Sequence, residues 1–379
     1  MLSTSHQFQV FLTKLTRSPS LGQGVKTLII TRRFLSPLHS TTPELEPVGY
    51  QNWIYTAVAT LPSFLTKLET LQFRALHTMH PIFIVLTSQF KSIRHLQLFN
   101  LSQQSFSEYV QLVNRFPQLQ ALSIEYHKLP KSGHCVPIRR CRLRQLVIGI
   151  SDDDMGSGDA LQSMLSSTAW LSAIEFLSIS VSHTTLPDYT TMDLILQRCA
   201  RTLRCLMLDF DATEEVKYEI PSLTHLAALE WVSLAAPLES VMLFLESLPQ
   251  GPLHSIEAIQ ICPKDVTFKK ISDTKYRSNF RALDESLNAP NSKFAALKYF
   301  TYYTEDSMED STEIVQTAFR EMMPKSYERG ILWWGDIDAE DVVGEQTGSS
   351  RWGILYRLPS QFFVYHRMSK RVSHYITSP

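Results

Sequence analysis

The stretch Ser92–Ile124, "SIRHLQLFNLSQQSFSEYVQLVNRFPQLQALSI", begins and ends on the same phrase. Ile93, Leu96 and Leu98 stand at spacings 0, +3 and +5, and so do Leu119, Leu122 and Ile124. Between them Phe106, Tyr109, Val110, Val113 and Phe116 fall on one helical face. Ser105 and Glu108 have the spacing of a capping box, and Pro117 keeps the helix from running on. The segment reads as strand, helix, strand, which makes it one unit of a repeat and the opening of the next.

The phrase recurs along the chain as "VKTLII", "LETLQF", "IRHLQL", "LQALSI", "LRQLVI", "IEFLSI", "LRCLML", "LEWVSL", "IEAIQI" and "LKYFTY". A count of matches is weak, because a three-site apolar pattern arises by chance roughly 30 times in a chain this rich in apolar residues. The spacing decides. The middle residues lie at 28, 71, 96, 122, 146, 177, 206, 232, 259 and 300, so the gaps are 43, 25, 26, 24, 31, 29, 26, 27 and 41. Seven consecutive gaps between 24 and 31 match the period of a strand-plus-helix repeat. The intervening segments agree. "TMDLILQRCARTL" and "LESVMLFLESLPQGPL" repeat the helical plan, the latter stopped by Pro249 and Gly251, and "MHPIFIVLTSQF" sets Pro81 at a first helical position. Neither element buries its apolar face alone, so stacked units are expected to form a parallel sheet covered by helices. The second and third apolar residues of each phrase point inward, since strand side chains alternate, and burying each contributes about 1.5–3 kcal/mol.

Composition narrows the classes of function. The 379 residues are 44% hydrophobic and 19% charged, as in a globular protein with a sizeable core. A net charge of −1 leaves no overall basic excess to hold a phosphate backbone or an anionic membrane, so neither is the expected partner. Five cysteines, an odd number thinly spread, argue against a disulfide framework and for a reducing, intracellular setting, cytoplasmic or nuclear. The longest aliphatic runs, such as Val241–Leu245, are too short to span a bilayer. The N-terminal stretch has helical spacing but neither the apolar core nor the cleavage site of a signal peptide.

Motifs that carry chemistry were sought one by one. "SDDDMGSGD" (Ser151–Asp159) gathers carboxylates and glycines but lacks the spacing of a calcium loop, and reads as a solvated turn. His127, His134, Cys135 and Cys141 lack the tight pairs of a zinc site. "RRCRLR" (Arg139–Arg144) reads as a solvated basic edge, with contact to an acidic partner as the alternative. His77 and His80 do not make a metalloprotease helix, and no phosphate-binding loop, nucleophile elbow or dinucleotide fingerprint occurs. No metal, cofactor or catalytic set is expected. The last 44 residues, 336–379, turn from acidic to basic and aromatic, which suits a strand pair closing the stack or, as the alternative, a surface for a nucleic acid or a partner.

The rhythm resembles that of leucine-rich repeats. More closely, the chain resembles fungal F-box-like, leucine-rich-repeat-like proteins in three stretches. "FQVFLTKLTRSPSLGQGVKTLII" looks like the helix and first strand that follow the F-box, "FPQLQALSI" typifies their repeats, and "FAALKYFTYYTEDSMEDSTEIVQTAFREMMPKSYERGILWW" resembles their last unit. The resemblance covers roughly residues 6–335. It implies a substrate-recognition module of an F-box-type ubiquitin ligase. The three-helix F-box itself is not visible, because only about 20 residues precede "VKTLII", and "LPSFL" at Leu61 reads as a repeat turn. Docking to a cullin-ligase adaptor is therefore implied only if an F-box lies upstream.

The expected architecture is an α/β leucine-rich-repeat-like solenoid over 1–335, with a parallel sheet on the concave face, helices outside, and a C-terminal cap and tail over 336–379. Outward strand positions would form an open face for a protein partner, anchored by His95, Gln97, Phe99, Glu125, Phe176, Asp209, Trp231, Tyr299 and Tyr303, with small polar residues such as Ser123 between them; any one of the aromatics is equally open to burial by neighbouring loops. The expected function is a non-enzymatic interaction scaffold. The alternatives are an enzyme whose active site is scattered over the fold, or a degenerate paralogue without a retained partner.

Overall fold

A computed structural model describes residues 1–31, 52–74, 81–99, 111–126, 143–150, 169–181, 189–210, 223–248, 256–263, 274–289, 292–304 and 312–336. The chain divides into two compact units, Met1–Ile174 with Thr184–Thr191, and Glu175–His183 with Met192–Pro379. The repeat phrase runs on at an unbroken period past residue 174, so nothing in its rhythm marks that division.

Among the described residues the first unit holds five parallel strands in sequence order: β1 (Thr27–Thr31), β2 (Thr70–Arg74), β3 (His95–Phe99), β4 (Ala121–Tyr126) and β5 (Gln145–Ile150). Their register puts Leu28, Leu71, Leu96, Leu122 and Leu146 in one row, and Ile30, Phe73, Leu98, Ile124 and Ile148 in another. Both rows are buried, as strand alternation requires of the face turned to the core. The middle residues of the five sequence phrases are therefore hydrogen-bonded neighbours in space.

Helices α1 (Ser5–Arg17), α2 (Ser20–Gly24), α3 (Asn52–Thr60) and α4 (Pro81–Thr87) belong to this unit. Thr4 caps α1, its side chain accepting from Gln7 N, and Phe8 and Leu15 are buried from that helix. Pro81 opens α4, whose Phe83 packs edge-on against Phe73 of β2 at 5.0 Å between ring centroids. "LPSFL" forms a 3-10 turn, Leu61–Ser63. The four residues 111–114 are helical before Pro117, while the start of that expected helix lies outside the described residues. The outer edge of β1 is not bare: Leu2 donates its N–H to Ile29 O and accepts from Thr31 N, closing a parallel bridge.

The second unit holds six described strands, again parallel and in sequence order: β6 (Phe176–Val181), β7 (Cys205–Phe210), β8 (Trp231–Ala236), β9 (Ala258–Pro263), β10 (Tyr299–Thr304) and β11 (Leu332–Asp336). Leu177, Leu206, Val232, Ile259, Phe300 and Leu332 share one row. Its helices are α5 (Tyr189–Cys199), α6 (Leu238–Ser247), α7 (Thr274–Asn288), α8 (Thr312–Met322) and α9 (Pro324–Glu328). On the helical side Phe280, Tyr302 and Phe319 form an aromatic cluster with centroids 4.4–5.8 Å apart.

Helix ends in this unit are closed by side chains. Lys293 Nζ donates to the carbonyls of Glu246 and Leu248, at the end of α6. Arg329 donates to the carbonyls of Leu287, Phe294, Ala295 and Leu297. The buried Asp284 of α7 accepts from Lys325 N at 3.0 Å and Ser326 N at 2.8 Å, capping α9 from a distant helix. Asn288 Nδ2 donates both to Asp284 Oδ1 and to Ser326 Oγ, which ties the clasp together.

Candidate functional site

Strand alternation leaves three rows of each sheet facing away from the buried aliphatic rows. In the first unit these are Thr27, Thr70, His95, Ala121 and Gln145; then Ile29, Gln72, Gln97, Ser123 and Val147; then Thr31, Arg74, Phe99, Glu125 and Gly149. β3 thus brings the expected anchors His95, Gln97 and Phe99 together, and β2 sets Thr70, Gln72 and Arg74 beside them. The β2 trio was not among the expected anchors. The signal was present in "LETLQFR", since residues 70, 72 and 74 alternate with the buried Leu71 and Phe73.

These side chains form a polar cluster with definite partners. Thr70 Oγ1 lies 3.3 Å from His95 Nδ1. With its oxygen turned toward Arg74, the Gln72 amide accepts from Arg74 Nε at 2.6 Å and Nη2 at 2.9 Å. The Arg74 guanidinium also sits over the Phe99 ring, 5.3 Å from the centroid. Burial holds the His95 imidazole below the ordinary histidine range, against the opposing pull of the Glu69 carboxylate. His95 is accordingly neutral at pH 7.

The expected openness of this face is corrected here. Gln72, Gln97 and Ser123 are at most 1% exposed, Phe99 is 2% exposed and Val147 is 5% exposed. The physical reason is that alternation assigns a side chain to a face and says nothing about what lies over that face. Three atoms bear a cost for this burial: Gln97 Oε1, Ser123 Oγ and Gln145 Oε1, on the adjacent strands β3, β4 and β5, have no hydrogen-bond partner among the described residues.

The second unit places the remaining anchors. Its outward rows are Phe176, Cys205, Trp231, Ala258 and Tyr299; then Ser178, Met207, Ser233, Gln260 and Thr301; then Ser180, Asp209, Ala235, Cys262 and Tyr303. Phe176 and Trp231 are buried, whereas Ser178, Met207, Asp209, Tyr299 and Thr301 are half-exposed. Phe176 and Trp231 are therefore wall residues rather than accessible anchors. Asp209 Oδ2 accepts from Ser180 Oγ at 3.5 Å. The side chains of Glu125 and Tyr303 lie outside the described residues. Of the nine expected positions, three lie on β3 and Glu125 on β4 in the first unit, and five lie across β6–β10 in the second.

Thiol chemistry finds no support at two of the cysteines. Burial pushes the thiols of Cys199 and Cys205 up to about 12, and the Glu230 carboxylate adds to the effect at Cys205. Both stay protonated at neutral pH and are poor nucleophiles. Among the described residues no group of three His, Cys, Asp or Glu side chains is placed to hold a metal ion. The loop Ser151–Asp159, the His127–Cys141 cluster, His77 and His80, and residues 337–379 lie outside the described residues. No helix among the described residues is long and apolar enough to cross a membrane. No protein-family model matches the chain, and no curated protein sequence matches it.

Proposed function

We propose that the chain is a leucine-rich-repeat-like solenoid that recognises a protein partner through the outward face of its sheet, as a substrate-recognition module of an F-box-type ubiquitin ligase. The observation that carries the fold reading is strand order. In each unit every described strand pairs with its neighbours in sequence, at the period of the repeat. A doubly wound sheet needs a reversal of order. The bridge of Leu2 to the outer edge of β1 supports an open stack over a closed barrel, whose last strand would pair along that edge. The ligase assignment rests on the resemblance of the three stretches quoted above.

The half-exposed positions Met207, Asp209, Tyr299 and Thr301 supply the surface for a partner. They mix one aromatic and one thioether side chain with small polar groups, the composition of a recognition surface rather than of a catalytic set. The test is affinity capture of the product of the complete transcript, with any F-box encoded upstream, beside its Met207→Lys/Thr301→Lys variant. Cullin-ligase subunits should co-purify with both, and a further protein should be lost from the variant alone. Absence of ligase subunits from both would end the ligase reading. A capture profile unchanged by the double substitution would end the assignment of this face.

A further inference from the structure

The net charge of −1 conceals a division along the chain. Residues 1–150 carry 16 Lys and Arg against 5 Asp and Glu, while residues 151–350 carry 15 against 32. In the first unit the fold gathers the cations. The strands are parallel and follow one another in order, so every turn that leads into a strand lies along the same edge of the sheet. Lys26 precedes β1, Lys67 precedes β2, Lys91 and Arg94 precede β3, Arg115 precedes β4 and Arg144 precedes β5, and all six are exposed.

Main-chain bonds fix the spacing of this edge. Glu69 N and Thr70 N both donate to Lys26 O, Arg94 N and His95 N to Glu69 O, Gln120 N and Ala121 N to Arg94 O, and Arg144 N and Gln145 N to Gln120 O. Adjacent strands stand about 4.8 Å apart, so Arg94 and Arg144, two strands apart, repeat at about 10 Å. Glu69 is the one acid on this edge among the described residues, and Lys26 Nζ already holds it. Lys67, Lys91, Arg94 and Arg115 make no ion pair with any described residue.

We infer that this strand-entry edge docks an extended acidic segment of a partner protein. An extended peptide advances about 3.3 Å per residue, so carboxylates three residues apart, at about 10 Å, meet cations two strands apart. A single-stranded nucleic acid is the poorer fit. Binding it calls for aromatic platforms on which bases stack, and none of the exposed large apolar side chains among the described residues is aromatic. The edge lies at the ends of the strands and not on their faces, so this inference stands apart from the recognition face proposed above.

The test uses the full chain and a fluorescein-labelled decaglutamate peptide, with binding read by anisotropy at about 50 mM and about 300 mM salt. Lys91→Glu/Arg115→Glu should weaken binding about tenfold or more, whereas Arg201→Glu/Arg281→Glu, two exposed cations of the second unit, should change it less than about twofold. Circular dichroism and a thermal midpoint check that both variants fold, and Lys91→Gln/Arg115→Gln replaces the first pair if it does not. The inference is overturned by absence of saturable binding to the wild-type chain at low salt, by equal loss in the two doubles, or by tighter binding of a labelled oligothymidylate. Each of those results leaves the recognition-face experiment standing on its own.

Discussion

A buried polar cluster in the second unit and one in the first stand on opposite terms. In the second, Asp284 and Ser326 are buried with every relevant bond in place, the carboxylate capping α9 and Asn288 bridging the pair. In the first, Gln97 and Ser123 are as deeply buried, yet Gln97 Oε1 and Ser123 Oγ meet no donor. A satisfied buried network fixes one arrangement, while an unsatisfied one raises the free energy of whatever state buries it. The contrast teaches that burial of polar residues marks stability in one place and a reserve of unmet hydrogen bonding in the other.

The largest effect should come from breaking the satisfied side. Asp284→Ala leaves Lys325 N and Ser326 N without their acceptor, and we expect a loss of about 3 kcal/mol in denaturant unfolding. A loss under about 1 kcal/mol would mean that water or a shifted Asn288 replaces the cap and that the clasp is not what closes α9.

Within the first unit, rigidity comes instead from close backbone approach. A Cβ on Gly22 would lie 2.4 Å from Phe64 O, a main-chain atom that cannot swing aside. Gly22→Ala should cost about 2 kcal/mol by the same measurement. A neutral result would show α2 free to shift away from the turn after α3.

The unsatisfied side should respond in the other direction. Gln97→Met keeps length and removes the orphaned acceptor, so stability should rise by about 1 kcal/mol. A fall of that size would reveal a partner for the Gln97 amide in solution, and the two units would then differ less than described.

The smallest effect concerns His95. Its imidazole is depressed by burial, faces the Thr70 hydroxyl, and lies in the fields of Glu69 and Arg94. The unfolded chain therefore binds the proton first as pH falls through about 6.5. Stability contributed by neutral His95 should be fully present above that range and should decline below it until the folded imidazole itself protonates. His95→Gln should flatten this slope in unfolding midpoints measured from about pH 8 to about pH 5. An identical slope in the two proteins would assign it to other groups.

Much of this was legible in the residues because strands of period two, repeated every 24–31 residues, leave a double signature. Leu28 through Phe300 were aligned by spacing alone, and within each unit the register pairs them residue for residue. The clasp was not legible, since Asp284 and its main-chain donors are 41 and 42 residues apart and no local pattern links them. Burial of Gln97 escaped for a different reason: alternation is a property of one strand, and cover is a property of whatever packs across it. The basic edge was read only at "RRCRLR", and its extent over Lys26 to Arg115 escaped because a charge summed over the whole chain cancels regions of opposite sign.

Leu2 has a consequence for how copies of this protein meet one another. The rim of a parallel sheet is a row of unmet donors and acceptors, and two such rims zip together without regard to side chains. Here a single residue, through Ile29 O and Thr31 N, occupies that rim on β1. Leu2 thereby shortens the free rim of β1 by two main-chain groups, which leaves a second copy fewer donors and acceptors to pair with on this side.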